Sequence, residues 1–424
     1  MLSVQFIKEN IEQVKESLSK RNFANDHLIK QIIETDYQRK SYKSQLDDLL
    51  SKSNRISKEI GMLFKSGQID KANEMKAETA TMKEQSAVLK TQLGDIEVAL
   101  EQLLLQMPNC AHPSVPVGKS DEDNEVFKPC PTALPELSEG SLPHWELAQK
   151  YDLIDFELGA KITGAGFPVY KGEGAMLQRA LINFFLDEAR QAGYIEYMVP
   201  HLVNADSARG TGQLPDKDGQ MYYMERDDLY LIPTAEVPLT NIYRDVLLQE
   251  SSLPIKLMGY TPCFRREAGS YGAHVRGLNR LHQFDKVEIV QVRKPDESYD
   301  ALQEMCDHVE SLLVKLGLPY RILRLCGGDL SFASALTFDF ETYSAAQKRW
   351  LEVSSVSNFE TFQANRLKLR YKDIDKRNKT LHTLNGSALA LPRILATILE
   401  NNQTEKGIFI PDVLQKYMGK EVIS

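Results

Sequence analysis

The chain has 424 residues, of which 42% are hydrophobic and 26% charged, with a formal net charge of −8 and a mean hydropathy of −0.35. This composition excludes a disordered polymer and a generic polyanion binder, and no apolar run reaches membrane-spanning length. A chain of this length buries a large core and is expected to divide into two or three domains.

The opening stretch, MLSVQFIKENIEQVKESLSK, has no apolar run of signal-peptide length, so the expected location is the cytoplasm, with no membrane partner. Cysteines 110, 130, 263, 306 and 326 lie far apart without a C-x-x-C pair. That spacing argues against structural zinc and a dense disulfide framework, and it suits a reducing compartment.

From about Leu28 to Leu105 there is no proline, and Gly61 and Gly67 fall near the middle. Apolar or small residues recur at three and four on one side of that break: Leu46, Leu49, Leu50, Ser53, Ile56, Ile60 and Leu63. On the other side they are Ala72, Met75, Thr79, Met82, Leu89, Leu93, Ile96, Leu100 and Leu103. This spacing predicts two long amphipathic helices that turn within GMLFKSG and pair as an antiparallel coiled-coil hairpin. Residues 1–105 carry 16 basic and 16 acidic side chains, but 50–90 carry 8 basic against 5 acidic. The excess is often no more than a solvated helix face, yet Lys52, Arg55, Lys58, Lys76 and Lys83 are also placed to meet phosphates.

Met107-Pro108-Asn109 ends the hairpin, so 1–107 forms one domain. Residues 108–141, with five prolines between Pro113 and Pro135 and the acidic run Asp121-Glu122-Asp123, are read as linker and domain entry. From 142 to 424 the pattern is α+β. Strand-like YLIPT, IKLMGYTPCF, FDKVEIVQV and YRILRLC alternate with helical MLQRALINFFLDEARQAG and DALQEMCDHVESLLVKLG. The mixture predicts an antiparallel sheet flanked by helices.

No G-x-x-x-x-G-K-[ST] loop and no strand-borne G-x-G-x-x-G is present, so any ATP must be held by guanidinium groups and metal. Arg265, Arg266, Arg276 and Arg280 crowd the segment 263–290, whose acidic neighbours Glu267, Asp285 and Glu288 are too few to pair with all of them. A polyphosphate matches such guanidinium forks, while a structural salt-bridge ladder is the ordinary alternative.

FRREAG followed by RGLNRLHQFDKVE resembles motif 2 of the class II aminoacyl-tRNA synthetases, and more narrowly that of bacterial-type seryl-tRNA synthetases. GFPVYKGEGAMLQRALINFFLDEARQAGYIEYMVP is similar to motif 1, IPTAEVPLTN to the Thr-x-Glu amino-acid-binding segment, LEVSSVSNFETFQANRLKLRY to the metal and phosphate strand, and TLNGSALALPRILATILENNQ to motif 3. The hairpin resembles the family's tRNA-binding arm. The resemblance implies a class II synthetase catalytic domain, a homodimer built through motif 1, ATP and Mg²⁺ as co-substrate and cofactor, L-serine as substrate, and tRNA(Ser) as acceptor with tRNA(Sec) a second candidate.

By the resemblance, Arg265 grips the α-phosphate, Glu267 reads the adenine amino group, Phe284 and Arg393 sandwich the adenine, and Arg280 holds the γ-phosphate. Arg265, Glu267 and Arg393 form the implied catalytic set. Arg266, Leu281, Val353 and Ser354 complete the implied ATP site, and Glu352 and Ser355 the Mg²⁺ site. The implied serine site comprises Thr234, Ala235, Glu236, Arg265, Glu288 and Ser387, with hydroxyl and ammonium contacts undivided among them. Carboxylates and hydroxyls suit a substrate that must be told from alanine by its hydroxyl. His282, in the motif 2 strand, is read as structural.

Four positions depart from the family pattern: Ala388 and Pro392 replace motif 3 glycines, Val356 a cysteine and Asn365 an arginine. None removes an implied catalytic charge. A catalytically dead dimeric RNA-binding scaffold is opposed by the retention of Arg265, Glu267, Glu352, Ser355 and Arg393. A paralogue that loads a carrier protein is opposed by the full hairpin.

Overall fold

The computed structural model describes residues 1–216, 219–267 and 275–424. The 268–274 portion of motif 2 lies outside the described residues. The chain divides into two units, Met1–Glu16 with Phe23–Pro108, and Ser17–Asn22 with Asn109–Ser424.

Two short helices, α1 (Val4–Glu9) and α2 (Ile11–Lys20), precede α3 (Asp26–Lys65) and α4 (Ile69–Gln106). The last two, of 40 and 38 residues, run about 60 Å and 57 Å at 1.5 Å per residue. Asn25 caps α3, its side chain accepting from the Leu28 N–H at 3.0 Å. The turn falls at the end of GMLFKSG. Gly61 stays inside α3, and Gly67, at φ 75°, makes the reversal. Leu46, Ile56, Ala72, Met82 and Leu100 are buried on the expected stripe. Leu50 is exposed, because a two-helix pair covers only a narrow seam. Asp36 is buried in the first unit against Lys8 at 2.6 Å and Arg39 at 2.7 Å.

The second unit is built on a sheet that has eight strands among the described residues. They are β1 (Glu125–Lys128), β2 (Ile195–Glu196), β3 (Ile255–Phe264), β4 (Gln283–Arg293), β5 (Tyr320–Arg324), β6 (Leu336–Ser344), β7 (Arg349–Asn358) and β8 (His382–Ala390). Their order is β1-β5-β6-β7-β8-β4-β3-β2, antiparallel throughout except for the β2–β3 pair. Within 108–141, the stretch Glu125–Lys128 thus supplies an edge strand of this sheet.

One face of the sheet carries the core. Phe338 and Phe340 of β6, Val353 and Val356 of β7 and Leu384 of β8 belong to the same buried cluster as Leu302, Met305, Val309, Leu312 and Leu313 of the 18-residue helix Ser298–Lys315 and Leu316 just after it. The other face is polar, as period-two alternation requires. Glu-x-x-Ser on a regular strand would point its two side chains to opposite faces. Here a bulge removes the conflict: Asp339 pairs with Ser355 and Glu341 with Glu352, so Glu352 and Ser355 share one face. A second bulge does the same in β8, where Ser387 pairs with Glu288 and Ala390 with Lys286.

Candidate active site

The polar face floors a cleft of about 640 Å³. Its walls include the β3–β4 pair, the segment entering the short helix Glu236–Asn241, the first turn of the helix Leu391–Asn401, and residues from 211–221 and 331–333. Of the expected site residues, Thr234, Glu236, Arg265, Glu267, Arg280, Leu281, Phe284, Glu288, Glu352, Val353, Ser354, Ser355, Ser387 and Arg393 all line it. Ala235 and Arg266 do not. Ala235 is fully buried in a neighbouring apolar cluster with Leu239 and Leu257. Arg266 is exposed, and its backbone N–H donates to the Gln220 carbonyl at 2.9 Å.

At one end of the cleft stand two buried carboxylates. Glu288, with no exposure, takes Lys286 Nζ at 2.5 Å and the Thr234 hydroxyl at 3.1 Å on Oε2, and the Asn385 amide at 3.0 Å on Oε1. Burial pushes its carboxyl up, opposed by Lys286. Glu236 accepts from Gln363 Nε2 at 2.6 Å. Burial, and then the charge of Glu288, push the Glu236 carboxyl up to about 7. Gln363 is a hub, since it also donates to the Thr211 carbonyl at 3.0 Å and accepts from the Thr383 hydroxyl at 2.7 Å.

At the other end the charges pair among themselves. Arg280 Nε lies 2.8 Å from Glu267 Oε2. Arg393 donates to the carbonyls of Asn279 at 3.0 Å and Glu352 at 2.7 Å, with its guanidinium 3.5 Å from Glu352 Oε2. The Arg265 guanidinium sits 5.2 Å from the Phe284 ring centre. Beside these, Asp339 bonds Ser355, while its Oδ1 is enclosed with no hydrogen-bond partner. Burial and the adjacent Glu352 hold the Asp339 carboxyl well above its ordinary value. Ser354 is committed elsewhere, donating to the Ser387 carbonyl at 2.6 Å.

Residues 1–111 match the seryl-tRNA synthetase N-terminal domain, and residues 222–402 match the tRNA synthetase class II core domain (G, H, P, S and T). The serine–tRNA ligase of Salinibacter ruber is 49% identical over 99% of this chain and 98% of its own length. The chain belongs to the seryl-tRNA synthetase family. Among solved structures, the seryl-tRNA synthetase of Pyrococcus horikoshii, complexed with ATP, superposes with a TM-score of 0.91 at 32% identity, covering 100% of this chain and 99% of that one. The cytoplasmic serine–tRNA ligase of Naegleria fowleri, in complex with AMP, gives 0.87 at 27% identity over 100% and 99%.

The structure accommodates this member's departures from the family pattern. Ala388 is wholly buried at an ordinary φ; the left-handed residue of the β8 bulge is Leu389, at φ 87°. Pro392 lies in the first turn of its helix, where no N–H is needed, so it leaves the Arg393 bonds in place. Val356 is core, and Asn365 bonds Thr361 at 3.3 Å. His282 is held as a structural side chain, stacked on Phe167 with ring centres 5.4 Å apart and bonded through Nδ1 to the Arg265 carbonyl at 3.1 Å. Lys286, Gln363, Asn385 and Asp339 were not picked out from the sequence. Lys286 follows the strand alternation from Glu288, so a face assignment would have found it; Asp339 lies on β6, where the sequence singled out no residue. Gln363 had no such signal.

Proposed function

We propose that the chain activates L-serine with ATP and transfers it to the 3′ end of tRNA(Ser), with tRNA(Sec) as the second acceptor to be tested. The observation that carries this reading is the polar end of the cleft. Two buried carboxylates and a threonine hydroxyl are held by Lys286, Gln363 and Asn385 beside the Arg265 guanidinium. Such a pocket suits a small zwitterion with a hydroxyl.

In the first half-reaction a serine carboxylate oxygen attacks the α-phosphorus of ATP. The bond to the bridging oxygen breaks, pyrophosphate leaves, and seryl-adenylate remains. No general base is needed, because the carboxylate is already an anion. Arg265 lies between the serine end and the phosphate end and is assigned to the charge that builds on the α-phosphate. Glu236 and Glu288 face the α-ammonium and hydroxyl, and an analogue without the hydroxyl leaves their network unpaired. Glu267 is assigned to the adenine amino group, Arg280 to the γ-phosphate, and Phe284 with Arg393 to the adenine faces. ATP must then draw Arg280 from Glu267 and Arg265 from Phe284. In the second half-reaction a terminal ribose hydroxyl of the tRNA attacks the seryl carbonyl, and AMP leaves.

Among the described residues no three His, Cys, Asp or Glu side chains form a metal cluster. A hard dication that takes most of its oxygens from phosphate and water does not require one. Glu352 and Ser355, which line the cleft, supply a carboxylate and a hydroxyl that fit Mg²⁺. When bound, Mg²⁺ neutralises phosphate charge.

Exposed Lys52, Arg55, Lys58, Lys76 and Lys83 on α3 and α4 are assigned to tRNA phosphates, Lys52 first exchanging its 3.2 Å bridge to Glu78. Homodimerisation is supported by the exposed apolar side chains of Ile195, Met198 and Leu202 in motif 1 and just beyond it. A cytoplasmic location is supported by five free cysteines. No described helix is long and apolar enough to cross a membrane.

The test is amino-acid-dependent ATP–pyrophosphate exchange with Mg²⁺, scanning serine, threonine, alanine, glycine and cysteine. Exchange with serine alone is the expected result, followed by charging of tRNA(Ser). A folded protein that exchanges with none of them refutes the reading and favours an RNA-binding scaffold.

A further inference from the structure

A buried ionisable pair outside the serine and ATP contacts joins three separate stretches of chain. His144 and Glu400 have no exposed side-chain surface and lie 2.7 Å apart, Nδ1 to Oε1. His144 opens the helix His144–Lys150, and Glu400 lies near the end of the motif 3 helix that carries Arg393. On the far side of the ring, Nε2 accepts the backbone N–H of Leu278 at 2.8 Å. A ring nitrogen that accepts an amide hydrogen carries no proton, so the other nitrogen does, and it donates to Glu400.

Leu278 is the point where motif 2 returns to the cleft, and Leu278, Asn279, Arg280 and Leu281 all line it. Further bonds converge on the same place. Gln347 Nε2 donates to Glu400 at 3.0 Å, Gln347 Oε1 accepts from the Asn279 side chain at 2.9 Å, and Arg393 donates to the Asn279 carbonyl at 3.0 Å. The remaining Glu400 oxygen accepts from the Ser344 hydroxyl. Gly277 confirms how closely the loop approaches. At φ 68° it is left-handed, and a Cβ there would lie 2.2 Å from His144 Nε2.

We infer that His144, oriented by Glu400, is a positioning residue that fixes the segment of motif 2 leading into β4 against the motif 3 helix and thereby sets the affinity for ATP. The inference rests on the reading of this end of the cleft as the ATP site. Neither residue touches the reacting atoms. They act through the Leu278 amide, which places Arg280 and Leu281 on one wall while Arg393 stands on the other.

The experiment uses the full chain with His144→Asn and His144→Gln. Asparagine keeps a donor where Nδ1 is but loses the distant acceptor, while glutamine's Oε1 reaches the position of Nε2. An unsatisfied buried amide costs enough to weaken ATP by about tenfold. The expected result for His144→Asn is therefore a KM for ATP raised about tenfold, with the KM for serine unchanged and the Kd for ATP by calorimetry weakened in parallel. His144→Gln is expected to restore most of that loss. Gly277→Ala breaks the same contact from the loop side, so it reproduces the effect even if His144→Asn fails to fold. Combining it with His144→Asn should add little to either alone. Equal rises in both KM values, or a lowered Tm with ATP affinity intact, would overturn the inference. A wild-type chain that binds ATP but exchanges with no amino acid would sink serine activation and leave the positioning role standing. A wild-type chain that binds no ATP would sink both.

Discussion

Replacing Glu288 by glutamine tests the serine end of the cleft most directly. The carboxylate has no exposure, and its oxygens face three donors: Lys286 at 2.5 Å, Thr234 at 3.1 Å and Asn385 at 3.0 Å. Glutamine fills the same volume but offers one acceptor and an amide donor. Whichever way the amide turns, its N–H₂ meets either Lys286 or Asn385. The threonine hydroxyl can rotate to accept, but the ammonium cannot. Lys286, only 7% exposed, is left without its counter-ion. Breaking a buried pair from one side costs about 3–5 kcal/mol, and the nearby Glu236 carboxyl can absorb part of this, so the lower end is expected, about 3 kcal/mol. The assay is thermal unfolding alongside serine-dependent exchange. Glu288→Gln should unfold several degrees earlier, while Lys286→Met combined with Glu288→Gln, which removes both charges, should recover much of the loss without recovering activity. If the double variant is as unstable as the sum of the single ones, the pair is not the source of the cost, and the reasoning is refuted.

Four further outcomes are expected. Glu236 is raised to about 7, so it gains its charge as pH rises through neutrality; the KM for serine should fall between pH 6 and pH 8, and Glu236→Gln should flatten that profile. The same shift makes the ionised form costly to the fold, so Glu236 contributes less to stability as pH rises from about 4.5 to about 7 and changes little above that, which Tm against pH for wild type and Glu236→Gln will read. Arg265→Ala should lower kcat for exchange by roughly 10²–10³, the usual loss when one preorganised charge-stabilising donor is removed, with little change in Tm. Glutamate at Arg55, Lys58 and Lys83 together should raise the KM for tRNA and flatten its dependence on log salt, while leaving exchange without tRNA unaffected.

Periodicity made much of the architecture legible. The two amphipathic helices and the strand segments of β3 and β4 were visible, because burial of one face imposes its period on the sequence whatever the distant partners are, whereas the strand with the Glu-x-x-Ser sequence came only with the family resemblance, its period being broken by a bulge. Details that depend on distant partners were not. Within GMLFKSG the reversal falls at Gly67 and not at Gly61, because a helix tolerates an interior glycine at a cost of about 1 kcal/mol, whereas the reversal needs a left-handed residue. Leu50 fits the stripe but lies off the narrow seam. Gln363 reaches Glu236 across 127 positions and His144 reaches Glu400 across 256, and no local pattern announces such a bond. Arg266 follows Arg265 in the sequence, but just past the end of β3 it is exposed, with its backbone N–H bonded to the Gln220 carbonyl.

The two ends of the cleft are held together differently, and this bears on how selectivity arises. The Arg280–Glu267 and Arg393–Glu352 pairs have side chains exposed by 44% and 15%, and by 29% and 50%. Pairs so open to water contribute about 0–1 kcal/mol each, so phosphate oxygens can displace them at little cost. The Lys286–Glu288 pair, at 7% and 0%, cannot be opened so cheaply, and Thr234, Asn385 and Gln363 brace it and its neighbour Glu236. Under the proposed roles the nucleotide end adjusts to its ligand, while the serine end exists before serine arrives. A preformed polar pocket cannot relax around alanine to repair the hydrogen bonds that alanine fails to make. Discrimination by the missing hydroxyl therefore falls to the rigid end of the site, while the adaptable end carries the affinity for ATP.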